Sequence, residues 1–325
     1  MQYILRRVFF YLIAFWVSIT LNFLLPRLMP GDPISRMFAR TGGEMTEEQL
    51  VQLRGLLGLS DDPMWRQYID YIASIFKGEM GVSISRFPTP VTDVIASQLV
   101  WTLLLGGIAL IIAFVVGNLL GIVATFRRGG ALDNFLPPLL IFIGSFPYFW
   151  LAMGALFVFG VTLGWFPLTH AFTPGINIGW NATFIADVAL HLVLPAFTIV
   201  VVSVGGWMLG MRNTMIMTLS EDYITMAQAK GLSTRRVMFR YAARNSMLPA
   251  ITGLGMSLGF VVGGALLTET VFAYPGIGFQ LMAAVQGLDY PLMQGIFLTI
   301  TAAVLVMNFL VDLAYVRLDP RVRTS

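Results

Sequence analysis

The feature that most restricts this chain is the way its charges are withheld from long stretches of sequence. From Asn134 to Ala186 there is no Asp, Glu, Lys or Arg, and five other uncharged runs are each long enough to cross a bilayer. These runs are apolar on every face, whereas a helix half-exposed to water keeps its apolar residues to one stripe. Composition points the same way: 57% of residues are hydrophobic, 11% are charged, and the mean hydropathy is +0.79. An ordinary soluble domain carries roughly 25% charged residues. So few charges can neither cover a soluble surface of this size nor keep a disordered chain in solution. The chain is an integral membrane protein.

A crossing takes about 20 mainly apolar residues in a helix. Six stretches supply one each: Val8–Pro26, Val94–Phe126, Asn134 to about Gly164, Val188–Met211, Asn245–Thr268 and Tyr290–Val311. The expected fold class is all-α, a polytopic bundle of six transmembrane helices. Arg6 and Arg7 before the first run look like the start of a secretory signal. The run is long, however, and leads into Pro26-Arg-Leu-Met-Pro-Gly31 rather than a small-residue cleavage site, so it reads as a retained anchor.

The placement of Lys and Arg gives the orientation. Arg6, Arg7, Arg127, Arg128, Arg212, Lys230, Arg235, Arg236, Arg240, Arg244, Arg317, Arg321 and Arg323 all fall on one side, and the short opposite loops at 165–186 and 273–289 have none. The other basic residues lie at Arg27 and in the long Pro30–Asp93 segment, where acids balance them. Both termini are therefore expected in the cytoplasm. The organisation that follows is residues 1–29 as N-terminus and first span, 30–93 as an extracytoplasmic loop domain, and 94–316 as a five-helix core. That core holds a cytoplasmic loop at 212–248, and 317–325 form a cytoplasmic tail.

The long loop has the marks of folding. Thr46-Glu-Glu-Gln49 is a capping box opening a helix that Gly58 closes. Asp62-Pro63 starts a second helix, with Trp65, Tyr68, Ile69, Ile72 and Phe76 on one face and Gly78 as its stop. The segment reads either as a small packed cap or as a docking surface for an outside partner.

Several chemistries are excluded or weak. The net charge of +3 is too dilute for a nucleic-acid surface. There is no cysteine, so thiol ligands, thiol nucleophiles and disulfides are absent, and His170 and His191 leave little scope for a metal site. The two lysines, Lys77 and Lys230, follow Phe76 and Ala229, so no phosphate-binding Gly-Lys-Ser/Thr loop exists. Gly255-Met-Ser257-Leu-Gly259 has the spacing of a hydrolase elbow, which needs a strand-to-helix turn, but it lies inside an apolar run. The glycines at 255, 259 and 263, at 117 and 121, and at 206 and 210 read instead as close-packing faces. Glu269 and Asp312 are the ionisable groups at membrane depth, each near a span end. Glu269 reads as a satisfied interfacial acid or as a gate.

Residues 212–248 carry the most information. Ser220 is placed to cap a short helix whose first turn holds Glu221 and Asp222 and which Gly231 ends; Ser233 caps the next. Arg236, Arg240 and Arg244 then recur every four residues beside Val237, Met238 and Tyr241. Two short amphipathic helices at the cytoplasmic surface rest either on anionic headgroups or in a groove of a soluble partner.

Tyr223-Ile-Thr-Met-Ala227-Gln-Ala229-Lys230-Gly231-Leu-Ser-Thr-Arg235-Arg236, followed by Arg244-Asn245 and Leu248-Pro249, resembles the cytoplasmic coupling loop of bacterial ATP-binding-cassette importer permeases of the dipeptide, oligopeptide and nickel branch. Further matches are Pro30-Gly31-Asp32-Pro33, Gly78-Glu-Met-Gly81-Val-Ser83, Glu269-Thr-Val-Phe272 with Pro275-Gly276-Ile-Gly278, Asp289-Tyr290-Pro291 and Asp319-Pro320-Arg321. Together they cover nearly the whole chain. Thr225 and Met226 stand where the generic permease signature begins Glu-Ala, a departure that leaves the coupling role intact.

The resemblance implies the type I importer permease fold in a bacterial inner membrane. It implies a non-catalytic subunit that binds no cofactor, with ATP and Mg held by two partner ATPase subunits or one fused pair. The coupling site would comprise Tyr223, Ala227, Ala229, Lys230, Gly231, Arg235, Arg236, Arg240, Asn245 and Pro249; Glu269, Phe272, Pro275 and Gly276 would be pathway or gate residues. A homologous second permease would complete the pore, and an external solute-binding protein would deliver cargo. Peptide is the default cargo and oligosaccharide the alternative, with Trp65, Trp165 and Trp180 available to stack on sugar rings; nickel complexes are a third. A stand-alone secondary carrier and an intramembrane protease remain as readings of other classes.

Overall fold

The computed structural model describes residues 2–28, 62–126, 128–263 and 265–318, and side chains between Arg6 and Leu313 among them. The capping-box helix expected over Thr46–Gly58, the Pro30–Pro33 motif, Arg127 and the Asp319–Arg321 motif lie outside these residues. Every regular element among the described residues is helical, with one isolated bridge between Val82 and Pro90.

Four helices are long and apolar enough to cross a bilayer: α1 (Gln2–Leu28), α3 (Val91–Phe126), α6 (Ala182–Leu219) and α12 (Tyr290–Leu318). Only 17–39% of each apolar window is buried inside the chain, so most of this apolar surface is left for lipid or for other subunits. Between the first two lies α2 (Met64–Lys77), which starts after Asp62-Pro63 and stops at Gly78 with φ +74°, the bounds its sequence signals set.

Two expected spans are not single helices. The third run forms α4 (Ala131–Gly144) and α5 (Tyr148–Ala155), the latter continuing as a π-helical stretch over Leu156–Thr162, with a 93° bend at the break. Pro147 accounts for it, because it donates no hydrogen bond and its ring disfavours helical backbone at the residue before. The fifth run divides into α9 (Ala243–Val261) and α10 (Leu266–Val271). Arg244 and Asn245 sit in the first turn of α9, so its apolar part is shorter than in the other four. By length and composition the described residues hold four crossing helices, or five if the bent pair is one span.

The chain forms two compact units. One comprises residues 1–102, 262–266 and 275–325; the other comprises 103–261 and 267–274. In the first, α12 packs along α1. Asp312 is no solitary charge at membrane depth, because it takes Arg7 Nη1 at 2.9 Å and the Tyr11 hydroxyl at 2.6 Å. The core is made by Val91, Val94 and Ile95 of α3, Ile277, Leu281 and Ala284 of α11 (Ile277–Gly287), and Leu292, Met293 and Ile296 of α12. Gly295 has no room for a Cβ, which would drive into Val91 and Ile95. Asp289 is fully buried at the start of α12, where its Oδ1 accepts from the Leu292 amide at 3.2 Å. Its Oδ2 accepts from both serine hydroxyls of Ser83-Ile-Ser85 at 2.5 and 2.7 Å and from the Ser85 amide at 2.8 Å. The Gly78–Ser83 motif, with Ser85 just beyond it, and the Asp289–Pro291 motif are therefore halves of one latch, distant in sequence.

In the second unit α3 meets α6 at Gly117 and Gly121. A Cβ there would lie 2.8 Å from the Val204 carbonyl oxygen and 2.6 Å from that of Met208, so these glycines are a close-packing face as their spacing suggests. Gly206 and Gly210 differ: nothing lies within 4 Å of a Cβ at either. The N-terminal turn of α4 is fastened to α6 by Asp133, whose Oδ1 takes Arg212 Nε at 2.6 Å while Oδ2 accepts from the Gly129 amide at 3.0 Å. Ser257 sits within α9, on helix rather than at a strand-to-helix turn, which removes the hydrolase-elbow reading.

Candidate coupling site

The expected loop at 212–248 is mostly helix. Residues up to Leu219 belong to α6; α7 (Asp222–Ala229) follows; then come α8 (Thr234–Arg236), a π-helical stretch over Val237–Ala242, and α9 without interruption. Only Ser220-Glu221 and Lys230–Ser233 are outside helices. The site is thus an elbow between two rigid arms.

Ser220 does not cap α7. Its hydroxyl donates to the Met217 carbonyl at 2.7 Å and it closes α6, while Glu221 takes the extended N-cap backbone, φ −75° and ψ 145°. Ser233 does stand at the N-cap of α8, although its side chain makes no capping bond.

A shared apolar core holds the arms together. Ile224 and Ala227 from α7 are buried among Met211 and Met215 of α6, Ile122 of α3, and Val237, Met238 and Ala242 of the π stretch. Ala227 is 5% exposed, which leaves no volume for a larger side chain without repacking. Two bonds cross the elbow. Asn245 Nδ2 donates to the Tyr223 hydroxyl at 2.8 Å, and the Ser246 hydroxyl donates to Thr218 Oγ1 at 2.9 Å.

Gly231 makes the bend. After Ala229 and Lys230 it takes φ +74°, a left-handed conformation costing an L side chain roughly 1–2 kcal/mol. The Gly231 amide donates to the Gln228 carbonyl at 2.9 Å and the Leu232 amide to that of Ala227 at 3.3 Å. This pair of bonds is the Schellman ending of a helix. Nothing lies within 4 Å of a Cβ at Gly231, so the requirement for glycine comes from backbone angle and not from space.

The arginines gather as the sequence suggests. Arg235, Arg236 and Arg240 line an open depression of about 490 Å³ with Ser233 and Phe239; Arg236, Arg240 and Arg244 line a second, of about 370 Å³, with Tyr223, Tyr241 and Asn245. The π stretch helps, because its i→i+5 bonding puts more residues in each turn and brings a four-residue spacing closer to one full turn. Lys230, Ala229 and Pro249 are exposed on the same element set. Met226 at 60% exposure and Phe239 at 46% add apolar rim that the sequence reading did not single out; neither breaks an amphipathic pattern, so no sequence signal marked them.

The pathway candidates are placed differently. Glu269 and Phe272 are each 1% exposed, and the Phe272 carbonyl accepts from the His170 amide at 3.1 Å. Pro275 is half-buried, and Gly276 is the N-cap of α11 with φ −99°. Neither Glu269 nor Phe272 presents a side chain to a passing solute in this conformation. Trp65, Trp165 and Trp180 are all exposed. No group of three or more His, Cys, Asp or Glu side chains suited to a metal occurs among the described residues.

A helical, multi-pass membrane protein with an exposed basic elbow on one side fits the class of transport permeases. The chain belongs to the family of binding-protein-dependent transport system inner membrane components: residues 117–324 match that family, and residues 1–114 match its N-terminal part. It is accordingly a transport subunit of the inner membrane. A Brucella suis biovar 1 chain provisionally named a peptide permease is 37% identical over 325 residues, 100% of both chains. The dipeptide transport system permease of Escherichia coli K12 is 34% identical over 99% of both, and the oligopeptide transport system permease of Bacillus subtilis 168 is 32% identical over 98% of both.

Proposed function

We propose that this chain forms half of the translocation pathway of an ATP-driven, binding-protein-dependent importer of short peptides. The observation that carries this reading is the end-to-end correspondence with relatives whose names specify peptides, dipeptides and oligopeptides. Oligosaccharides or nickel complexes carried by the same machinery are the alternative, and those names favour peptides. A homologous permease supplies the other half. ATP and Mg reside on partner ATPase subunits, and the solute-binding protein docks on the 30–93 segment. Six crossings, with α4 and α5 as one broken span and α9 and α10 as another, leave both termini and the arginine-rich elbow in the cytoplasm.

The elbow engages the ATPase through Tyr223, Ala229, Lys230, Gly231, Arg235, Arg236, Arg240, Asn245 and Pro249, while Ala227, expected at this contact, is buried and holds α7 to the shared core behind them. Its exposed face mixes Tyr223, Met226 and Phe239 with arginines, which suits a groove on a protein better than a layer of headgroups. Closure of the ATPase pair then swings α6 and α9 about the turn at Gly231, and Glu269, Phe272, Pro275 and Gly276 open as part of the pathway.

The test is peptide uptake into vesicles carrying the full transporter with its binding protein. Uptake requires ATP inside the ATPase compartment and stops when ATP is replaced by a non-hydrolysable analogue. Uptake by the purified chain alone, without ATP, would contradict the proposal and return the secondary carrier.

A further inference from the structure

Besides its charged face, α2 has two others, and the described residues cover only one of them. Gln67, Tyr68 and Tyr71 face α1. The Thr20 hydroxyl already donates to the Trp16 carbonyl at 2.9 Å, so the 2.6 Å contact with Tyr68 has the Tyr68 hydroxyl as donor. Asn22 Nδ2 donates to the Tyr71 hydroxyl at 3.0 Å, and Arg27 Nε and Nη2 donate to Gln67 Oε1 at 3.2 Å. Burial pushes the Tyr71 phenol up to about 12, so it stays neutral at this contact. The neighbouring face holds Trp65, Ile69, Ile72 and Phe76, at the spacing of one helical stripe. Trp65 is 65% exposed, Ile69 55% and Phe76 82%. Arg66, Asp70 and Lys77 occupy the remaining face.

The depth of the stripe follows from its anchors. Thr20, Asn22, Phe23 and Arg27 lie toward the Leu28 end of the Arg6–Leu28 span. At 1.5 Å per residue, Thr20 to Leu28 covers about 12 Å of the end of α1. An amphipathic helix in a bilayer interface buries its apolar face by about 5–10 Å. Leu21 and Leu25, on the same turns of α1, are exposed as lipid-facing residues of a span would be. A stripe of Trp, Ile and Phe with flanking Arg and Lys is also the make-up of a helix lying at that boundary.

We propose that α2 lies in the bilayer interface at the Arg27 end of α1, with Trp65, Ile69 and Phe76 against lipid acyl chains and Arg66, Asp70 and Lys77 in water. Because α2 leads through Gly78 into the Ser83–Ser85 turn latched to Asp289, lipid contact there steadies the segment that precedes α3.

The absence of native cysteine makes the test direct. Nitroxide labels are placed at Ile69→Cys, Phe76→Cys and Asp70→Cys, one at a time, in the full chain in phosphatidylethanolamine–phosphatidylglycerol vesicles. Paramagnetic relaxation by oxygen, which concentrates in lipid, is compared with relaxation by a water-soluble nickel chelate. Labels at 69 and 76 respond more to oxygen, and the label at 70 responds more to the chelate. Chelate-dominated relaxation at 69 and 76 would overturn the proposal in favour of water. Protection from both colliders there would overturn it in favour of a covering protein subunit.

Discussion

Gly231→Pro abolishes ATP-driven uptake while the chain still inserts into the membrane. Gly231 needs φ +74°, and proline is fixed near −65°, so the substitution cannot be accommodated in place. It also removes the amide that donates to the Gln228 carbonyl at 2.9 Å, one of the two bonds closing α7. The elbow must open, and its cost of about 3 kcal/mol falls on the element proposed to meet the ATPase. The apolar spans that drive insertion are untouched. Gly231→Ala separates angle from space: its Cβ meets nothing, so it loses only the roughly 1–2 kcal/mol of left-handed strain and keeps measurable uptake. Uptake per inserted molecule, normalised by membrane content, distinguishes the two. Full transport by Gly231→Pro would show that the turn carries no motion.

Arg212→Ala destabilises the chain by about 3–5 kcal/mol, because it strands a buried carboxylate. The Asp133 side chain is 5% exposed and would keep only the Gly129 amide bond. The reverse change, Asp133→Asn, costs less: the Arg212 side chain is 23% exposed and can turn toward water. A paired change to apolar residues, Asp133→Leu with Arg212→Met, recovers most of the loss. Thermal unfolding of the detergent-solubilised protein orders the three variants. Equal losses from both single changes would mean that the pair matters for its contact and not for the buried charge.

What could be read beforehand depended on whether the signal was local. The bounds of α2 were legible because Asp62-Pro63 and Gly78 act on their own backbone. The Gly231 bend was legible for the same reason. Four spans announced themselves by length alone. The break after Gly144 was written in Pro147, but the surrounding apolar run outweighed it. In the fifth run the division around residue 262 falls at the Gly263-Gly264 pair, a turn signal that the surrounding apolar run outweighed. Ser220 was misplaced because a serine suits either end of a helix, and backbone geometry at Glu221 decided the matter. The Asp133–Arg212 pair and the Ser83–Ser85–Asp289 latch join residues far apart in sequence, and only packing reveals them. The arginine cluster was legible, but the π stretch that aligns it was not.

The central claim is that the Gly231 elbow is where energy enters from another subunit. The direct measurement uses a single introduced cysteine, Lys230→Cys or Met226→Cys, treated with a short thiol-to-amine cross-linker in membranes containing the whole transporter. The expected product is one adduct containing a nucleotide-hydrolysing subunit, formed from both positions and altered in yield by ATP. An adduct with lipid or with no protein at all, under conditions where the transporter is active, would contradict it.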